Sequence, residues 1–411
     1  MTTDKHNKLP NVPPLRFSEF SGEWEKHLTT DFFEFKNGLN PDVKRFGSGT
    51  KFISVMDILN NRYITYDKII SSVEAKDDDL RDFGVNYGDI LFQRSSETLE
   101  DVGRANVYLD EKPALFGGFV IRGKKIGDYN PLFFRHLLSS PSVRKRIIVK
   151  GAGAQHFNIG QDGLNKVFLF VPSAKEQDRI ARLLNAIDKR IEVQSGLIEK
   201  LESLISGICK QFHDETENWI QVSFIELGED YSGLTNKSAG DFGKGKPYIT
   251  YLNVNTNHII DESQIQYVSV ADDEKQNKVH WGDVIFTLSS ETPDEVAVGS
   301  VYLGNCDELY LNSFCFGIHI VNEQYIYQPY LSYFISSPQF RKWVFPLAQG
   351  STRFNLQKAD FMKKKFLLPP IKEQKKLYDC LSSISKRVVI ESSILSKLQL
   401  LKQYLLSQMF I

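Results

Sequence analysis

Residues Tyr87–Leu109 read YGDILFQRSSETLEDVGRANVYL, and residues Trp281–Leu303 read WGDVIFTLSSETPDEVAVGSVYL. Eleven of these 23 positions are identical, at an offset of 194 residues. Moving outward, other anchors keep nearly the same spacing. Trp24 matches Trp219, and Gly38-Leu39 matches Gly233-Leu234, at an offset of 195. Gly47-x-Gly49 matches Gly243-x-Gly245 at 196. Ser139-Ser-Pro-x-x-Arg-Lys145 matches Ser336-Ser-Pro-x-x-Arg-Lys342, and Pro172-x-x-Lys-Glu-Gln177 matches Pro369-x-x-Lys-Glu-Gln374, at 197. Such a period is far longer than the roughly 20–50 residues of a solenoid repeat. It describes one unit present twice in tandem, and predicts a pseudo-twofold relation between the copies.

Each copy has two parts. About 150 residues carry short Phe-, Tyr-, Ile- and Val-rich runs broken by Gly, Asn and Asp, which read as strands. Examples are Lys51–Val55, Asp89–Phe92, Tyr248–Leu252 and Asp283–Phe286. One helix per copy is expected before the Ser-Ser-Pro motif, at Tyr129–Leu138 and Tyr327–Ile335. The second part is a long helix. After Pro172, apolar residues follow alternating steps of four and three: Ile180, Leu184, Ile187, Ile191, Gln194, Ile198, Leu201, Ile205, Ile208 and Phe212. After Pro369 the series is Leu377, Leu381, Ile384, Val388, Glu391, Leu395, Leu398, Lys402, Leu405 and Met409, each the first series plus 197. A seam held for more than four heptads spans ~48 Å of helix and predicts mutual pairing. The central seam residues are Ile187, Ile191, Gln194, Ile198 and Leu201 against Ile384, Val388, Glu391, Leu395 and Leu398. In an antiparallel pair, Gln194 and Glu391 fall near the crossing, where a polar residue fixes register.

The 411 residues suffice for two to four domains with their own cores. Charged residues at 25% and hydrophobics at 41% exclude a disordered or collagenous chain. No apolar run approaches the ~18 residues of a membrane span, and the first ten residues lack a signal-peptide core, so a cytoplasmic location is expected. The four cysteines form no Cys-x-x-Cys pair, and the eight histidines show no ligand spacing, so no metal is expected.

The formal charge of −1 hides a pattern. Residues 117–171 hold nine Lys/Arg against two acids, and 317–368 hold seven against two. Residues 71–101 hold nine acids against three bases, and 261–295 nine against two. Paired basic surfaces, recurring in both copies, suit a polyanion of repeating geometry. Candidate contacts on the basic side are Lys124, Lys125, Arg144, Lys145 and Lys150 in copy one, and Arg341 and Lys342 in copy two. Two glycine-rich segments match here, Lys150–Asn158 (KGAGAQHFN) and Leu347–Asn355 (LAQGSTRFN). Their Gln155, His156, Asn158, Gln349, Ser351, Thr352, Arg353 and Asn355 carry groups that read base edges, Arg towards guanine and Asn or Gln towards adenine. The Ser-Ser-Glu-Thr turns add Arg94, Ser95, Ser96 and Thr98, and Thr287, Ser289, Ser290 and Thr292. These hydroxyls equally suit a turn that satisfies its own backbone.

No P-loop, HExxH or GxSxG appears, and no glycine fingerprint opens a helix after a strand. Asn130-Pro-Leu-Phe133 is similar to the NPP[YF] tetrad of amino-methyltransferases, but lacks the second proline and a cofactor loop; it reads as a helix start. No catalytic set is expected, and the shared polar residues form a binding inventory.

In their order and duplication, several motifs resemble the specificity subunit of a type I restriction–modification system. They are the opening Pro13–Trp24 (PPLRFSEFSGEW), the strands Tyr87–Phe92 and Trp281–Phe286, and the segments Val171–Gln177 and Leu368–Gln374 that open the heptad helices. The resemblance covers nearly the whole chain. It implies an α+β fold with two tandem, pseudo-twofold-related mixed α/β target-recognition domains, separated by a pair of long antiparallel coiled-coil helices. The boundaries become 1–171 and 214–368 for the recognition domains, with 172–213 and 369–411 for the helices. It further implies a non-catalytic subunit that reads a bipartite double-stranded DNA site, one half per domain, with the helices as spacer. Two methyltransferase subunits and the restriction/translocase subunits are the implied partners, with S-adenosylmethionine, ATP and Mg held by those partners, and no membrane is involved. The alternative is a duplicated interaction scaffold that binds no nucleic acid; a fused methyltransferase or nuclease is disfavoured by the missing cofactor motifs.

Overall fold

The structure is a computed structural model that describes residues 11–153 and 156–411. It divides into two compact units, one of residues up to Ile198 together with Ile390–Ile411, the other Glu199–Val389.

In the first unit a four-stranded antiparallel sheet has the order Phe33–Asn37, Val120–Lys125, Ile90–Gln93, Ala105–Val107. The run that follows Gly88-Asp89 is thus an inner strand, and all four of its residues are buried. A continuous apolar run is what a strand covered on both faces requires. The second unit repeats the order with Gly228–Ser232, Cys315–Ile320, Val284–Thr287 and Gly299–Val301. Beside each lies a three-stranded sheet, centred on Phe46–Ile53 and on Phe242–Ile249. Both centre strands shift register across their Gly-x-Gly, between Phe46 and Thr50 and between Phe242 and Lys246, as a β-bulge does.

The run Tyr248–Leu252, expected as one strand, is split. The strand ends at Ile249, Thr250 accepts a hydrogen bond from the Asn253 amide at 3.2 Å, and a helix runs over Tyr251–Thr256. In the first unit Ser54 and Asp57 cap the corresponding helix Val55–Asn60. A polar capping residue inside an apolar run therefore overrides its strand propensity.

The repeated motifs outside the sheets are largely caps and ties. The helix expected at Tyr129–Leu138 runs over Pro131–Ser139, with the Asn130 side chain accepting from the Phe133 amide at 3.0 Å. Asn130-Pro131 is thus an N-cap followed by proline at the first helical position. The matching helix runs over Gln328–Phe334. Ser-Ser-Pro opens a second helix in each unit, Pro141–Ile148 and Pro338–Val344, capped by Ser140 and Ser337. The glutamine of Lys-Glu-Gln fastens globule to helix in both. Gln177 donates to Pro172 O and accepts from the Asn130 amide, both at 3.0 Å. Gln374 donates to Pro369 O at 2.8 Å and accepts from the Tyr327 amide at 2.9 Å.

The long helices run over Ala174–Glu215 and Ile371–Gln408. In the first unit, Gln194 Nε2 donates to the Glu391 carbonyl at 3.1 Å and to its carboxylate, and Lys402 Nζ lies 2.7 Å from Asp188. Numbers rise along one segment as they fall along the other, so the two run antiparallel. Ile180 and Leu184 join Leu405, Met409 and Phe410 in a core with Trp24 and Phe133. Asp188 also takes Arg135 at 2.7 Å, beside a fully buried His136. In the second unit Ile205, Ile208 and Phe212 pack on a core that contains Leu377 and Leu381. Every described seam position of both helices is buried or half-buried. No helix among the described residues is long and apolar enough to cross a membrane.

Candidate nucleic-acid interface

The Ser-Ser-Glu-Thr turn and the glycine-rich segment, about 55 residues apart in sequence, meet through strand pairing. In the first unit Ser95–Ser96 pairs antiparallel with Phe157–Asn158, with Ser95 opposite Asn158. Ser95 Oγ donates to Asn158 Oδ1, and the Ile159 amide donates to Arg94 O at 2.9 Å. Ala152 and Asn158 exchange both backbone hydrogen bonds at 2.9 Å, an antiparallel bridge. The second unit is built alike. Ser289–Ser290 pairs with Phe354–Leu356, which pairs with Ala348–Gln349.

Glycine is required at the entry to each hairpin turn. Gly153 and Gly350 have φ of +145° and +146°, and a Cβ would sit 2.0 Å from the carbonyl oxygens of His156 and Arg353 respectively. After these matching glycines the two copies carry different side chains. One copy presents His156, the other Ser351, Thr352 and Arg353; Gln155 lies outside the described residues. His156, Asn158, Gln349, Ser351, Thr352, Arg353 and Asn355 are all exposed.

Arg353 is oriented rather than loose. Its Nε and Nη2 donate to Ser289 Oγ at 3.2 and 3.1 Å, and its guanidinium carbon lies 5.7 Å from the Phe314 ring centre. Among the described residues, Nη1 has no such tether. The group borders a polar cleft of about 680 Å³ together with Tyr251, Asn255, Glu291 and Thr352. In the first unit Arg94, Asn158, Asn37 and Gln161 border a cleft of about 410 Å³. Arg94 Nη1 donates to Gly118 O at 3.2 Å.

The second serine of each turn holds the local backbone. Ser96 Oγ accepts from the Thr98 amide at 3.3 Å and Ser290 Oγ from the Thr292 amide at 3.5 Å, while Ser290 Oγ also donates to Glu295 at 2.9 Å. Thr98 donates to Asp101 at 2.8 Å. These residues shape the turn, whereas Ser95 and Ser289 face the hairpin.

Three groups of candidates require correction. Arg144 and Arg341, counted as basic surface, are bound inward. Arg144 Nη2 donates to Glu100 O and Val102 O at 2.8 and 2.7 Å. Arg341 donates to Asp294 O, Val296 O and Ala297 O at 2.6, 2.7 and 2.8 Å. Burial lowers both guanidinium pKa values, Arg144 to about 10. They pin the loop after each Ser-Ser-Glu-Thr turn. Thr287 is fully buried in the sheet and cannot reach a ligand. Lys125 donates to Tyr129 O at 3.2 Å and lies over its ring. By contrast Lys124, Lys145, Lys150 and Lys342 are exposed, and none is ion-paired among the described residues. Each unit therefore sets exposed lysines beside its glycine-entered segment. The repeated Arg–Lys of the Ser-Ser-Pro helices divides between an anchor and an exposed cation.

A family model described as the type I restriction modification DNA specificity domain matches residues 21–203 and again 218–400. The EcoKI specificity subunit of Escherichia coli is 25% identical over 195 residues, 46% of this chain and 40% of that subunit, so the match spans less than half of its length. The MjaVIII specificity subunit of Methanocaldococcus jannaschii is 23% identical, covering 94% of this chain and 91% of that one. Among solved structures, the S subunit of a type I restriction–modification system from M. genitalium superposes with a TM-score of 0.59 at 16% identity. The superposition covers 97% of this chain and 99% of that one.

Proposed function

The chain belongs to the type I restriction–modification DNA specificity family, with two copies of its domain in tandem, and from that premise we propose how it acts. It is the non-catalytic subunit that gives such a complex its DNA sequence specificity. Each unit reads one half of a bipartite site in double-stranded DNA, and the hairpin tips carry the reading groups. The observation that supports this is the pair of like-paired segments, each entered through a glycine of nearly equal φ at Gly153 and Gly350, but carrying different side chains after it. A scaffold with one ligand has no need for two such tips to diverge.

Base edges in the major groove offer distinct donor and acceptor patterns, and a guanidinium pairs with guanine O6 and N7. Arg353 is suited to that, because Ser289 and Phe314 fix its plane before binding. In the other unit Asn158 is held by Ser95, and it accepts or donates according to how its amide is turned. Lys145, Lys150 and Lys342 contact phosphates, which position the protein without reading sequence.

The chemistry belongs to the partners. Two methyltransferase subunits dock on this chain and bring S-adenosylmethionine; restriction/translocase subunits bring ATP and Mg. The test is methylation-aware sequencing of DNA from cells that co-express this chain with its methyltransferase subunit. A bipartite motif with a fixed gap, methylated on both strands, is the expected result, and exchanging residues 1–171 for those of a relative changes one half alone. A complex that forms and methylates with no defined motif contradicts the assignment.

A further inference from the structure

The turn before the inner strand is built on an aspartate in both units. Asp89 accepts from the Asn86 amide at 2.9 Å and the Lys125 amide at 2.8 Å. Asp283 accepts from the His280 amide at 2.7 Å through Oδ2. Both carboxylates are 2% exposed. A buried carboxylate needs a compensating cation, and in this the two units differ. In the first, burial raises the Asp89 carboxyl above its usual range, and Arg122 and Lys124 offset this in part. The sheet register sets Ile90 opposite Gly123 and Val284 opposite Ile318. By that register Gly317 replaces Arg122 and His319 replaces Lys124. The Tyr231 ring fills the space where a side chain at Gly317 would lie. Among the described residues, His319 is the sole ion-pairing partner of Asp283.

What replaces the lost cations is a set of ligand atoms. One ring nitrogen from each of His280 and His319 and one carboxylate oxygen of Asp283 lie within 4.8 Å of one another. His319 Nδ1 is 2.9 Å from Asp283 Oδ1. At metal–ligand distances of about 2.0–2.1 Å, adjacent ligands of a tetrahedral ion stand about 3.4 Å apart. The His319–Asp283 pair is thus already near the required separation, and it shares a proton where two ligands share an ion. His280 is exposed, and its ring centre lies 4.8 Å from that of His319, on the same side as the carboxylate. The Tyr231 hydroxyl donates to Asp283 Oδ2 at 2.8 Å, and its ring stacks on His319 at 4.1 Å between centres. These contacts fix the carboxylate and one imidazole from behind, as an outer shell does around a metal.

We infer that His280, Asp283 and His319 bind one divalent cation of the zinc class. Two imidazoles and a carboxylate are the donor set of borderline ions such as zinc or cobalt(II), not of magnesium or calcium. A fourth position is left for water. The bound ion ties the turn ahead of the inner strand to the neighbouring strand Cys315–Ile320, in the unit that carries Arg353.

The test titrates the untagged full chain, freed of metal by chelation, with zinc by calorimetry and with cobalt(II) by visible absorption. The expected result is one equivalent bound at micromolar affinity or tighter, with a cobalt ligand-field band typical of four-coordination. His280→Ala, whose side chain is exposed, leaves the fold intact by circular dichroism and weakens binding at least tenfold. The His280→Ala/His319→Ala pair abolishes it, while Asn86→Ala in the first unit changes nothing. No binding by the unaltered chain overturns the inference, as does undiminished binding by the folded His280→Ala/His319→Ala variant.

Discussion

The assignment of Arg341 as an anchor and Lys342 as a phosphate contact separates two neighbouring cations that sequence alone lumps together. Arg341→Met keeps most of the stem and removes three hydrogen bonds, to the carbonyls of Asp294, Val296 and Ala297. Asp294 is exposed, so water replaces that bond at little cost. Val296 and Ala297 are fully buried, and each loses a charge-assisted bond of about 1.5–3 kcal/mol. The sum is a destabilisation of about 3–6 kcal/mol. For a unit of this size it lowers the unfolding midpoint by roughly 6–24 °C. Lys342→Ala, at an exposed position without an ion pair among the described residues, changes stability by no more than about 0.5 kcal/mol. It instead weakens binding across all DNA sequences and reduces the slope of log K against log salt by about one. Thermal unfolding and salt-dependent DNA titration of both variants measure these effects. An Arg341→Met protein with an unchanged midpoint and a reduced salt slope would refute the anchor assignment.

Two further expectations concern the hairpin and a buried histidine. Gly350→Ala places a Cβ 2.0 Å from Arg353 O at a φ of +146°, so the hairpin opens; strain of about 1–3 kcal/mol costs roughly 5- to 150-fold in affinity for one half-site, read by titrating single-half-site mutant duplexes. His136 has its pKa lowered from 6.5 to about 3, first by burial and then by Arg135, against the pull of Asp188. The unfolded chain binds that proton below pH 6.5 and the folded chain does not, so stability is complete above pH 6.5 and falls as pH drops towards 3. Between pH 7 and 5 the loss is about 2 kcal/mol, and His136→Phe flattens the profile over that window; denaturant unfolding at the two pH values checks it.

Much of the fold was legible because duplication turns weak signals into paired ones. The seam at Gln194 and Glu391 could be read by counting fours and threes, and the two side chains hydrogen-bond in the structure. The inner strands after Gly-Asp were equally plain. The candidate interface was legible only in pieces. Ser95 pairs with Asn158 across 63 residues through a ladder two residues long, and no periodicity marks so short a strand. Arg144 and Arg341 were misplaced because charge counting cannot tell a guanidinium facing solvent from one bound to carbonyls. Thr287 was misplaced because the inner strand extends one residue further than its apolar run. The Tyr248–Leu252 run misled for the opposite reason, since Thr250 ends a strand and caps a helix within it. The roles of Gln177 and Gln374 left a signal, the repeated Lys-Glu-Gln, but its meaning lies in backbone groups of residues 130 and 327 that sequence does not place nearby.

The most direct test of the reading hairpins is the methylated motif produced with Arg353→Gln in place of the unaltered chain, each co-expressed with the methyltransferase subunit. Glutamine at the same tip pairs with adenine rather than guanine. The account predicts that methylation at the original sites falls sharply or that one base of one half-site changes, while the other half-site and the gap stay as they were. An identical motif, methylated to the same extent by the Arg353→Gln complex, would contradict it.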